Sequence, residues 1–225
     1  MAKRALIVWG GWEGHEPRQV AEIFAEGLRA HTFEVEVANT LDAYRDGGKL
    51  MKLDLIVPVW TMGKIEKEQE RPLLEAVKNG VGIGGVHGGM CDSFRQNTEY
   101  QFMTGGQWVS HPGGDGVRYM VNIVDGEHFI TRESRDFEVV SEQYYMHVDP
   151  ANRVLATTTF PTVDGPHAPN GLVKMPVVWT KFYGKGRVFY TSLGHVAKVA
   201  AQEEVKRIWT RGFLWAAHAE DLAGQ

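Results

Sequence analysis

Two uninterrupted apolar runs, Ala5-Leu6-Ile7-Val8-Trp9 and Leu55-Ile56-Val57-Pro58-Val59-Trp60, set the frame for this chain. A strand without polar alternation is covered on both faces, and strands of that kind belong to parallel sheets flanked by helices. Helical patterns fall between such runs. Pro17 suits the first position of a helix, and Val20, Ile23, Phe24 and Leu28 follow with helical spacing. Phe33 to Val37 alternates and reads as a strand nearer the edge. Glu66 to Asn79 reads as a second helix, with Leu73, Leu74 and Val77 inward and Gly80 closing its C-terminus. Val81-Gly82-Ile83 begins another short buried strand. Pro58 is the discordant residue, because it cannot donate a ladder hydrogen bond. Strand–helix alternation of this kind implies right-handed crossovers and a mostly parallel sheet.

The second half has a different texture. Arg118 to Val124, Phe137 to Tyr145 and Val154 to Phe160 read as strands with no helices between them. Val177 to Tyr183 and Arg187 to Leu193 flank Gly184-Lys185-Gly186 as a hairpin. A last helix carries Val205, Ile208, Trp209, Phe213 and Ala216 on one face. The expectation is one α/β domain over residues 1–225, with an antiparallel extension of its sheet. A net charge of −4 without a basic cluster argues against nucleic-acid binding. No apolar run reaches membrane-spanning length, and the first residues lack a secretory signal pattern. A cytoplasmic setting is therefore expected. The single cysteine, Cys91, excludes an internal disulfide and cysteine-rich zinc sites. The seven tryptophans leave room for self-association into a homo-oligomer.

Gly85-Val86-His87-Gly88-Gly89 has the G-x-nucleophile-x-G spacing of a strained strand-to-helix elbow, with imidazole where a serine or cysteine would stand. Residues 92–104 are expected to return as a helix. In open α/β sheets ligands bind beyond the carboxyl ends of the strands. That rule selects Gly11, His15, Trp60, His87 and His195. His111 and His147 lie in polar or aromatic loops nearby in the pattern.

Several segments carry a resemblance when taken together. They are Gly10-Gly11-Trp12 through His15-Glu16-Pro17, Gly85-Val86-His87, Gly105-Gly106 to His111-Pro112, Ser141-Glu142-Gln143-Tyr144, and Gly184 through His195. In this order they resemble the trehalose-utilisation (ThuA-like) family. The resemblance implies a flavodoxin-like sheet similar to that of class I glutamine amidotransferases. It also implies a role in the catabolism of trehalose or related disaccharides, at an oxidised (keto) sugar stage. Those amidotransferases use an elbow cysteine, a histidine after a late strand and a carboxylate. By position His195 matches the late histidine and His87 stands in the cysteine's place. Cys91 lies four residues further on, about 6 Å along a helix axis, too far to inherit the elbow's role.

His87, His195 and Glu142 are thus the expected catalytic groups. One use for them is general acid–base chemistry near neutrality. The other is a divalent metal, zinc or manganese, held by His87, His147 and His195, although no H-x₃-H or HExxH spacing is present. Gly11, His15, Trp60, Trp108, His111, Tyr144 and His147 are expected to contact substrate, the aromatic rings by stacking on a sugar face. The expected partner is a small carbohydrate. Two functions stay open: an enzyme that abstracts a proton beside a sugar carbonyl or cleaves a keto-glycoside, and a non-catalytic sugar-binding or accessory protein of a sugar-oxidising pathway.

Overall fold

A computed structural model describes residues 2–224. The first apolar run becomes β1 (Arg4–Gly11), and α1 (Pro17–Ala30) starts on Pro17 and turns Val20, Phe24 and Leu28 inward. There follow β2 (Glu34–Ala38), the single turn α2 (Gly47–Leu50), β3 (Leu55–Thr61), α3 (Lys67–Lys78) and β4 (Gly82–Val86). A capping box between Glu66 and Gln69 satisfies the first donors of α3. The helix expected over 92–104 forms only in its second half, as α5 (Thr98–Thr104), and the single turn α4 (Gly88–Cys91) comes before it. Asp92 and Phe94 break the first half, Phe94 at a left-handed φ of 49°.

The remaining elements are β5 (Gly106–Ser110), β6 (Val117–Ile123), β7 (Phe137–Ser141), β8 (Tyr145–Val148), β9 (Arg153–Phe160), β10 (Val173–Tyr183), β11 (Gly186–Thr191), α6 (Ala197–Ala200) and α7 (Glu203–Ala216). The strand expected over 137–145 is interrupted: Glu142-Gln143-Tyr144 leaves the sheet between β7 and β8. β5 and β8 pair separately as a ribbon.

One nine-stranded sheet runs β2-β1-β3-β4-β11-β10-β9-β6-β7. β2, β1, β3, β4 and β11 are mutually parallel. Among these parallel strands the order is 2-1-3-4-5, the flavodoxin-like arrangement. From β11 outward, β10, β9, β6 and β7 are antiparallel. Pro58 is accommodated because β3 pairs with β4 only at Leu55 and Ile56, so Pro58 lies where β3 has a ladder on the β1 side alone.

Alternate residues of β1 feed two cores, as period two requires. Ala5 and Ile7 face the layer of α1 and α7, where Phe24 lies 4.8 Å from Trp209 and 5.2 Å from Phe213 between ring centroids. Leu6 and Val8 face Leu73, Met90 and Tyr100 on the other side. Each such large apolar side chain contributes about 1.5–3 kcal/mol by leaving water. Among the described residues no helix is long and apolar enough to cross a membrane.

Candidate functional site

Four loops at the carboxyl ends of the parallel strands meet at one point. β1 leads into a tight turn over Glu13–His15, which buries His15 and sets its Nδ1 2.8 Å from Oγ1 of Thr61 at the end of β3. His195 follows β11. The Glu16 carboxylate accepts from the Ala197 backbone N–H at 3.0 Å, so the loops carrying His15 and His195 are tied together. Gly88 is required where it stands, since a Cβ there would come 2.5 Å from Cε1 of His15.

His87 occupies the elbow between β4 and α4 with φ 50° and ψ −139°. A non-glycine residue there stores about 1–3 kcal/mol of strain. Its backbone N–H donates to the Thr191 carbonyl at 2.7 Å, and its own carbonyl accepts from the Tyr190 hydroxyl at 3.1 Å. The ring lies on Tyr144, with centroids 3.8 Å apart. His87 is 1 % exposed.

The carboxylate arrives from the opposite end of the sheet. Glu142 follows β7, and Gln143 anchors the crossing by donating to Oγ1 of Thr158 at 2.8 Å and to the Thr159 carbonyl at 3.2 Å on β9. The Tyr119 hydroxyl donates to the Glu142 carbonyl at 3.1 Å. These bonds bring a carboxylate only 6 % exposed against the imidazoles. Its oxygens lie 3.1 Å from His87 Nε2, 3.5 Å from His195 Nε2 and 3.9 Å from His15 Nε2. The three rings form a nearly equilateral triangle, with centroids 4.9, 5.1 and 5.2 Å apart. One ligand atom from each of His15, His87, Glu142 and His195 lies within 4.8 Å of all the others.

The hydrogen bonds fix the tautomer of His87. Its Nδ1 lies 2.7 Å from the Ser192 carbonyl, an acceptor, so Nδ1 carries the proton. In the neutral ring Nε2 then presents a lone pair to the Glu142 carboxylate. Burial, outweighing the bond to Glu142, lowers the His87 pKa to about 4 and keeps the ring neutral. Burial likewise lowers that of His195. Burial works to raise the pKa of Glu142, but the imidazoles of His15, His87 and His195 packed around its carboxylate hold it well below the ordinary carboxylate range. In that state two acceptors face each other in a buried site, a pairing that either a proton or a metal cation between them would satisfy.

The structure brings His15, His87, Glu142 and His195 together. It does not bring His147: β8 turns Met146 inward and His147 outward, opposite Gln107, so this histidine is exposed and outside the cluster. His15 stands where a third imidazole was expected. His111 lies at the margin, with Nδ1 3.7 Å from Glu142, unpartnered, and its ring partly exposed. Gly11, at φ 81°, lets β1 close on β3, where a Cβ would sit 2.1 Å from the Thr61 carbonyl oxygen. Trp60 is half-buried over Gly10 and Gly63. Tyr144 is buried against His87, and one face of Trp108 is covered by the Arg95 guanidinium at 4.5 Å. The exposed ring at the cluster is instead Trp12, 47 % accessible and edge-on to His15 at 4.8 Å. An indole directly after Gly10-Gly11 at a strand end was the available signal for it. Cys91 is buried and its thiol pushed up by burial, so it cannot replace the missing nucleophile.

A flavodoxin-like parallel sheet with a histidine at the strand-to-helix elbow is similar in fold to the class I glutamine amidotransferases, with imidazole where those enzymes carry a cysteine. The sequence model described as Trehalose utilisation (ThuA) matches residues 4–216, and the chain belongs to this family. Solved structures agree in fold. A ThuA-like protein from Parabacteroides merdae superposes with a TM-score of 0.74 at 19 % identity, over 96 % of this chain and 90 % of that one. One from Bacteroides uniformis gives 0.75 at 17 % identity, over 95 % and 91 %. A glutamine amidotransferase from Thermotoga maritima gives 0.56 at 16 % identity, over 100 % and 94 %. No curated protein matches the sequence.

Proposed function

We propose that this chain is a carbohydrate-processing enzyme whose reaction centre is a divalent metal held by His15, His87, His195 and Glu142. The observation that carries this reading is the His87 Nε2 lone pair facing the Glu142 carboxylate at 3.1 Å, with Nδ1 committed to the Ser192 carbonyl. A backbone carbonyl behind a histidine is the usual support for a metal-ligating imidazole. The donor set is close to the required size, with its four ligand atoms within 4.8 Å of one another, so the rings would draw in on an ion. Ligands on a zinc at about 2.0–2.1 Å stand roughly 3.3 Å apart in a tetrahedron, and the distances from Glu142 to the three imidazoles are 3.1, 3.5 and 3.9 Å. Three imidazoles and one carboxylate complete a tetrahedral zinc shell, whereas an octahedral ion such as manganese keeps two positions for substrate.

When bound, such an ion supplies Lewis acidity toward a sugar carbonyl or hydroxyl. The chain's own groups do the rest. Thr61 and the Ser192 carbonyl orient the imidazoles of His15 and His87. His111, outside the ligand set and partly exposed, holds a buried, unpartnered Nδ1 3.7 Å from the Glu142 carboxylate, beside the reaction centre. Trp12 offers an open indole face at the rim. No nucleophilic side chain stands at the elbow, so proton abstraction beside a carbonyl or cleavage of a keto-glycoside fits better than covalent catalysis.

The test is elemental analysis of the purified chain with turnover of a panel of disaccharides and their keto forms. The wild type is expected to hold about one equivalent of zinc or manganese. His87→Ala is expected to lose both the metal and the activity while keeping its far-ultraviolet spectrum. Full activity in that variant, or sugar affinity without product from any sugar tried, overturns the proposal. The second result would favour a binding or accessory protein.

A further inference from the structure

We infer that the cavity between the β3–α3 loop and the segment leading into α5 is a subsite for the non-reacting unit of a neutral disaccharide or glycoside, anchored by Arg95. This rests on the reading of the cluster as a sugar-processing centre and adds where the rest of the substrate lies.

The cluster cannot hold a sugar by itself. The space lined by His15, His87 and His195 is about 10 Å³, room for an ion or a water molecule. Most of any saccharide therefore lies beyond it. A cavity of about 680 Å³ opens between Met62–Glu66 and Phe94–Glu99, within the range of small-molecule sites.

Both walls of that cavity continue segments that build the cluster. Thr61 is bonded to His15, and Met62 begins one wall. The chain after His87 runs through α4 and Asp92 to Phe94 and Arg95, which begin the other. The walls are locked together: the Met62 N–H donates to the Asp92 carbonyl at 2.7 Å, and the Phe94 N–H to the Met62 carbonyl at 3.0 Å. Met62 and Phe94 both hold left-handed backbone, at φ 62° and 49°, a conformation that persists in non-glycine residues only where the surroundings impose it.

Arg95 is a prepared donor. The buried Asp92 carboxylate accepts from its Nε at 2.6 Å and from its Nη2 at 2.9 Å, while its plane lies on the Trp108 ring. Nη1 makes no hydrogen bond among the described residues, and the side chain lines the cavity. Trp108, under the Arg95 guanidinium, stands 5.4 Å from His111, and His111 Nδ1 stands 3.7 Å from Glu142, so packed side chains link Arg95 on the cavity wall to the cluster.

Charge selects the ligand class. Lys64 and Arg95 share the lining with Glu66, Glu70 and Glu99. Hydroxyls both donate and accept and suit such a mixture. A phosphorylated sugar would meet three carboxylates and is disfavoured.

The test is calorimetric titration of the metal-loaded chain with trehalose, glucose and trehalose 6-phosphate. Trehalose is expected to bind more tightly than glucose, and the phosphorylated sugar more weakly than trehalose. Arg95→Gln is expected to weaken trehalose about ten-fold or more, the scale of one charge-assisted hydrogen bond. Its glucose affinity and metal content should not change. Because that variant leaves Asp92 unpaired, a Glu70→Gln/Glu99→Gln double variant, which breaks no ion pair, supplies a second readout. It should weaken trehalose and improve binding of the phosphorylated sugar. Equal wild-type affinity for trehalose and glucose, absent trehalose binding, or trehalose affinity unmoved by both variants overturns the subsite. His87→Ala separates the two proposals, because it removes metal and turnover yet should leave Arg95-dependent trehalose binding in place.

Discussion

At the scale of single residues, the decisive fact is that a neutral imidazole occupies a strained elbow, held through Nδ1 by the Ser192 carbonyl with Nε2 turned to the Glu142 carboxylate. Burial lowers the His87 pKa from 6.5 to about 4. Between those values the unfolded chain binds a proton that the folded chain does not, so stability falls as pH drops through that window. Glu142 acts in the same direction. Its depressed value gives stability that is present above the ordinary glutamate range and is lost as pH falls toward its folded value. The thermal midpoint of metal-free protein is therefore expected to decrease between pH 7 and pH 4, and His87→Gln is expected to flatten that decrease. Identical profiles for the two proteins in differential scanning fluorimetry would contradict this account.

At the scale of elements, the site depends on how loops are tied. Gln143→Leu cuts the bonds from the Glu142 segment to Thr158 and Thr159. It is expected to reduce metal affinity about 10–100-fold, as losing an outer support of a ligand does, with a stability loss of about 1–3 kcal/mol for the unpaired buried groups. Competition with a fluorescent chelator and urea unfolding measure the two effects. Gly88→Ala drives a methyl to within 2.5 Å of the His15 ring and is expected to lower metal occupancy while the fold persists; full occupancy by mass spectrometry would show that His15 is not needed. This is also where legibility in the sequence divides. The buried runs, Pro17 and the elbow at His87 were readable because each is set by local pattern. Glu142 could be reached only through a family resemblance, since its place depends on a side-chain tie between segments 15 residues apart and a sheet that folds back. His147 and His15 are the same residue type, and the choice between them was made by β8 pairing with β5, a strand with no clear signal in Gly106–Ser110.

At the scale of the molecule, the parallel half of the sheet supplies the imidazoles and the antiparallel half supplies the carboxylate. β7 is an edge strand with one partner, whereas β4 lies between β3 and β11. Hydrogen exchange should accordingly be faster in β7 than in β1 or β4. Added zinc or manganese should slow exchange in Ser141 to Tyr144 more than elsewhere in the second half, and uniform protection would count against Glu142 as a ligand. The seam between the halves runs along β11 and β10. A slight flexing there would slide Oε1 and Oε2 of Glu142 past three rings anchored to the other side. If the nest holds an ion as proposed, its grip would in effect gauge the curvature of the whole sheet, and anything that leans on the far edge strand would be felt at the elbow.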